Sequence, residues 1–198
     1  YVESNFCLEF AFQQEEYQYA EDLLKLAEAS KIDLAFPQFA LCEPFSTINR
    51  YGNERARFLV DLNRQLSELD RSAPHQPLVA GVRPLVATLA RLQQGETDRL
   101  EEAIERMLKC GRSLPLTGPV FAAARQAESA FDLSPQDAIV LASVLEDLKS
   151  APAAVPGEHC FVSRNSKDFA AARGNLTTLH CRYIAKFGDA LSFITSKI

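Results

Sequence analysis

The residues able to do chemistry are acids, amides and hydroxyls standing where expected strands give way to helices. Glu3-Ser4-Asn5 follows the strand-favouring Tyr1-Val2. Glu43 stands six residues beyond Pro37 in "PQFALCE", and Asp137 lies in the first turn expected of "SPQDAIVLASVLEDLK". "VSRNSKDF" supplies Ser163, Asn165 and Asp168. Carboxylates gathered at one sheet edge repel one another unless a hard cation neutralises them, and oxygen-only ligands suit Mg²⁺ or Mn²⁺ over Zn²⁺. Such an ion orients water, lowers its pKa and stabilises charge on a phosphoryl oxygen, which is the chemistry of phosphodiester hydrolysis. Taken singly, each acid also has an ordinary structural reading: Asp137 as a helix N-terminal residue, Glu43 as a solvated charge, Asp168 as a cap.

The elements that must position these residues alternate between two periods. Ser4 reads as a helix N-cap, and Leu23, Leu24, Leu26 and Ala27 lie on a helical stripe. "IDLAF" (32–36) reads as a buried strand ended by Pro37, which suits the first turn of a following helix; Pro44 directly after Glu43 would kink or end that helix. From about 51 to 131 the pattern is helical, with breaks expected at "APHQP", "QQGE" and "SLPLTGP". Ser134 and Pro135 open a strong helix, "APAAVPG" reads as a loop, and "HCFVS" reads as a strand. "KDFAAAR" then reads as a short helix, "LTTLH" as a strand and "IAKFGDALSFITSKI" as an amphipathic helix. Strands separated by helices predict parallel pairing, and so a helix-rich three-layer α/β/α sandwich around a central parallel sheet. One domain over 1–198, extended by the helical region, is the expected organisation.

Together these motifs resemble the PIN-domain nucleases, which include the bacterial VapC-type toxins. The counterparts are Glu3-Ser4-Asn5, Pro37 with Glu43, Asp137-Ala138, and Ser163-Arg164-Asn165-Ser166-Lys167-Asp168-Phe169, in order, over roughly 1–50 and 120–198. Glu3 stands where that family usually has Asp, and Asn165 where Asp is common. The resemblance implies a divalent-metal-dependent endoribonuclease acting on single-stranded RNA with Mg²⁺ or Mn²⁺. Asp137 and Glu43 would hold the metal, Glu3 would complete its shell, and Asp168 would place a second metal or a water. Ser4, Asn5, Ser163 and Asn165 would orient them. An antitoxin protein and a homodimer are further partners it implies. The alternative is a catalytically weakened module that binds RNA or protein.

Net charge is −5 and pI about 5.3, so nothing draws the whole surface to nucleic acid. A local row could track a phosphate backbone: Arg50, Arg57, Arg64 and Arg71 recur every seven residues opposite an apolar face of Phe58, Leu59, Leu62, Leu66 and Leu69. Asp61 and Glu68 stand four residues after Arg57 and Arg64, as in ordinary solvated helices, which is the competing reading. Five dispersed cysteines without CxxC spacing, and no apolar run of membrane-spanning length or signal-like start, predict a reducing, cytoplasmic setting. His75, His159 and His180 form no ligand spacing, and no base is near Ser163 to make it a nucleophile.

Overall fold

The computed structural model describes residues 1–150 and 159–198. Helix dominates. α1 (Ser4–Phe12) and α2 (Tyr17–Glu28) lead into β1 (Ala35–Pro37), where Pro37 ends the strand and opens a 3₁₀ turn over Gln38–Leu41. α3 (Glu43–Leu69) and α4 (Gln76–Cys110) form a long antiparallel hairpin, followed by β2 (Arg112–Leu114), α5 (Gly118–Phe131) and α6 (Pro135–Ser150). β3 (His159–Val162), α7 (Ser166–Phe169), α8 (Arg173–Thr178), β4 (Cys181–Ile184) and α9 (Phe187–Thr195) complete the chain.

The expected three-layer sandwich is not formed. Among the described residues the strands make two separate two-stranded parallel sheets, β1 with β2 and β3 with β4, and no central sheet. The strands are only three or four residues long. Pro37 removes a ladder donor at the end of β1, and Tyr1-Val2 contributes an isolated bridge in place of a strand. Val2 donates to the Ala35 carbonyl at 3.0 Å, while Val162 donates to that of Tyr1 at 2.8 Å. The first two residues therefore lie against both β1 and β3.

Several element boundaries differ from the sequence reading. "QQGE" does not interrupt α4: Gly95 is carried through because Glu96, Leu100, Ala103 and Met107 bury the same face. "LTTLH" is mostly helix, with Leu176 fully buried. His180 at φ 57° turns the chain out of it, and the strand falls on the next four residues. "SLPLTGP" holds part of an unforeseen strand, β2. "APAAVPG" lies outside the described residues.

Two apolar cores flank β3, whose residues alternate between them as strand geometry requires. Cys160 and Val162 join a core built from α1, α2, α9 and the base of α4, with Phe6 edge-on to both Phe10 and Phe187. Phe161 faces a second core from α5, α6 and α8, where it meets Phe169 edge-on at 5.1 Å. The hairpin projects from the first core: at 1.5 Å per residue, the 27 residues of α3 and 35 of α4 run about 40 and about 52 Å.

Candidate functional site

Burial defines the centre of the site. Glu3 is only 6% exposed and caps α1 itself, correcting the expectation that Ser4 does so. One carboxylate oxygen accepts from the Ser4 hydroxyl at 2.7 Å and the Asn5 amide N–H at 3.1 Å; the other accepts from Asn5 Nδ2 at 2.6 Å. Ser163, fully buried after β3, is within hydrogen-bonding reach as well. Burial pushes the Glu3 pKa above the usual carboxylate range, and the four neutral donors pull it back.

From Glu3 the contacts run outward. The Ser163 hydroxyl accepts from the Asn165 N–H at 3.0 Å, and Asn165 Nδ2 donates to Asp137 Oδ1 at 3.3 Å. Asp137 sits in the first turn of α6, where the Ser134 hydroxyl donates to Oδ2 at 2.6 Å and accepts the Asp137 N–H at 3.2 Å. Three distant stretches thus converge: Glu3, Ser4, Asn5, Ser163, Asn165 and Asp137 form one connected polar network.

Glu43 and Asp168 stay outside those hydrogen bonds, each partly exposed in the first turn of its helix. Glu43 is the first residue of α3, and Pro44 belongs to that helix's opening turn, where its missing N–H is harmless, so it neither kinks nor ends the helix. Asp168 is close enough to Tyr183 for its charge to help raise the phenol pKa, as Glu3 does, though burial is the larger cause.

Two supports were not foreseen. Tyr183 donates to the Ser163 carbonyl at 2.7 Å, fixing the backbone beneath the site. Arg164 pairs with Glu9, whose side chain is 1% exposed, and with Glu15, tying the segment after β3 onto α1. The signal for the second was a lone acid in the apolar run "NFCLEFAF", which needs a cation once its helix packs.

The donors are all oxygens, as Mg²⁺ or Mn²⁺ requires, and no Lys, Arg or His lies within 4.0 Å of the Glu3, Glu43, Asp137 or Asp168 carboxylates among the described residues. Among the same residues, no three His, Cys, Asp or Glu side chains gather into a ligand cage. The set does not fit a closed zinc centre; an ion here would have to be held by one or two carboxylates, with waters and substrate phosphate completing its shell, as Mg²⁺ commonly is.

The arginine row lies on the solvent side of the hairpin, away from this network. Arg50 pairs with Glu54 at 3.6 Å and Arg64 with Asp61 at 3.5 Å; Arg71 falls beyond the end of α3. No family model, curated protein or solved structure matches the chain. No helix among the described residues is long and apolar enough to cross a membrane.

Proposed function

We propose that this chain is a divalent-metal-dependent hydrolase of phosphodiester bonds in single-stranded RNA. The observation that carries the reading is the network from Glu3 through Ser163 and Asn165 to Asp137: two carboxylates, drawn together from opposite parts of the chain, with amides and hydroxyls between them and no basic counter-charge. The resemblance of four short motifs to those of PIN-domain nucleases supports the same chemistry, although the PIN-like sandwich itself is not formed.

Asp137 and Glu3 would hold the ion, with Glu43 and Asp168 as further acids at the first turns of α3 and α7. When bound, Mg²⁺ or Mn²⁺ supplies a lowered water pKa and charge stabilisation at phosphorus. The chain's own part is orientation. Ser4 and Asn5 fix the Glu3 carboxylate, Asn165 fixes Asp137, and Tyr183 holds the Ser163 backbone on which both depend.

The four neutral donors on Glu3 also favour a second reading, a weakened module that binds RNA without cutting it, because a carboxylate so satisfied gains less from an ion. One experiment separates them. Titration calorimetry with Mn²⁺, beside cleavage of a labelled single-stranded RNA with and without EDTA, should give binding near the micromolar range and EDTA-sensitive cleavage. Asp137→Asn should lose both. Full cleavage by that variant, at matched folding and purity, refutes the enzyme; RNA binding with no metal uptake establishes the weakened module.

A further inference from the structure

We infer that two copies of this chain pair through the α3–α4 hairpin as an antiparallel four-helix bundle about a two-fold axis. The apolar arc of α3 is wider than α4 can cover. Leu59, Leu62 and Leu66 turn toward α4, but Phe58 remains 56% exposed, and on α4 Leu78 and Leu85 remain 61% and 57% exposed. At 100° per residue these, with Tyr51, Leu69 and Leu92, lie along one side of the hairpin. Seven-residue spacing of this kind is the seam of helix packed on helix.

The pattern on α4 is complementary to itself. Beside the row Leu78, Leu85, Leu92 runs a row of small residues, Gly81, Thr88, Gly95. A Cβ at Gly81 would meet nothing within 4 Å, so the chain's own packing gives no reason for glycine inside this helix, where it is disfavoured. An axis between positions 86 and 87 supplies one. It sets Leu78 level with the partner's Gly95, Leu85 with the partner's Thr88 and Leu92 with the partner's Gly81, a large side chain over a small one at each level.

Six of the eight charges on α3 are antisymmetric about position 59; of the other two, Arg55 pairs with Glu96 inside the hairpin and Glu43 stands at the helix start. Arg57 and Asp61 stand two residues to either side, Glu54 and Arg64 five, and Arg50 and Glu68 nine. An antiparallel copy therefore places every one of these acids level with an arginine: Asp61 with the partner's Arg57, Glu54 with the partner's Arg64, Glu68 with the partner's Arg50. Both patterns share one axis. Gly52 lies against Gln93, and counting seven residues along the antiparallel pair puts position 59 beside position 86. Phe58 then falls next to the axis, facing Phe58 of the partner subunit. An isologous contact demands this kind of self-complementarity. An RNA strand along the arginines would leave the leucines in water and meet Glu54, Asp61 and Glu68 at every turn. The pairing does not depend on whether the acidic network cuts RNA.

Sedimentation equilibrium of the full chain over about 1–100 μM tests it. The wild type should be a dimer, and Phe58→Glu with Leu85→Glu a monomer of unchanged helicity, since both positions already face solvent. Gly81→Leu should weaken the dimer without lowering the monomer's thermal midpoint. Arg57→Glu should raise the dissociation constant at least about tenfold, and the swap Arg57→Glu with Asp61→Arg should restore it. A wild type that is monomeric throughout, a dimer indifferent to these changes, or arginine variants that lose RNA binding at constant mass each overturns the proposal.

Discussion

Glu3 is held by burial and neutral donors where an opposite charge would be expected, and that sets its pH behaviour. Its folded pKa lies above the unfolded value, so the stability associated with the protonated form is fully present below the usual glutamate pKa and lost as pH rises through the folded value. In EDTA, the thermal midpoint should therefore fall as pH is raised from about 4 toward 7, and Glu3→Gln should flatten that slope. If Glu3 holds an ion as proposed, Mn²⁺ affinity should run the other way, strengthening over the same range because the ligand must be deprotonated. A midpoint insensitive to Glu3→Gln would show that this carboxyl does not govern the dependence. At Arg164 the stakes are structural. Arg164→Ala leaves Glu9 buried without its cation and should destabilise by about 3 kcal/mol, read by urea unfolding, with Arg164→Lys recovering part of it.

Among the elements, the joint between α4 and β2 leaves no room for a side chain. A Cβ on Gly111 would approach the Leu34 carbonyl oxygen at 2.8 Å and the Met107 carbonyl oxygen at 2.9 Å, neither of which can swing aside. Gly111→Ala should thus cost about 1–3 kcal/mol and loosen the β1–β2 pair, seen as faster amide exchange at Arg112–Leu114. Thr117→Ala, which removes the side-chain acceptor for the Val120 N–H at the start of α5, should cost about 1 kcal/mol. Long periodic helices were legible in the sequence: α2, α6 and α9 lie where spacing put them, and Ser134 and Pro135 open α6 as their types predict. Of the short strands, β3 and part of β1 were legible in "HCFVS" and "IDLAF", but β2 and β4 were not. Three residues such as "RSL" carry no period, and in "LTTLH" the β-branched threonines suggest a strand while the leucines three apart suit a helix, a conflict that burial of Leu176 decides.

At the scale of the whole molecule, the motifs were more legible than the frame around them. Glu3, Asp137, Ser163 and Asn165 could be singled out because their types and places at or just before helix starts are local properties, and the fold connects them. The sheet could not be, since whether Tyr1-Val2 extends into a strand or stops at a bridge depends on what packs beside it. The same limit applied to the hairpin: an apolar row is read alike whether its neighbour is α4 or another chain, and only exposure tells them apart. If the hairpin pairs as inferred, the thermal midpoint should climb with protein concentration, and the Phe58→Glu, Leu85→Glu variant should lose that dependence.

The bridge of Val2 to Val162, and the chain of contacts from Glu3 to Asn165, has a further consequence for the order of events during synthesis. Residues 1–5 are made well before residues 162–165 that complete them, so contacts of this sequence separation form late. A nascent chain that has not yet reached Ser163 has Glu3 and Asp137 but not the segment that joins them. If the network cuts RNA as proposed, ribosome-bound fragments ending before Ser163 should be silent toward it, and the messenger being read would be spared.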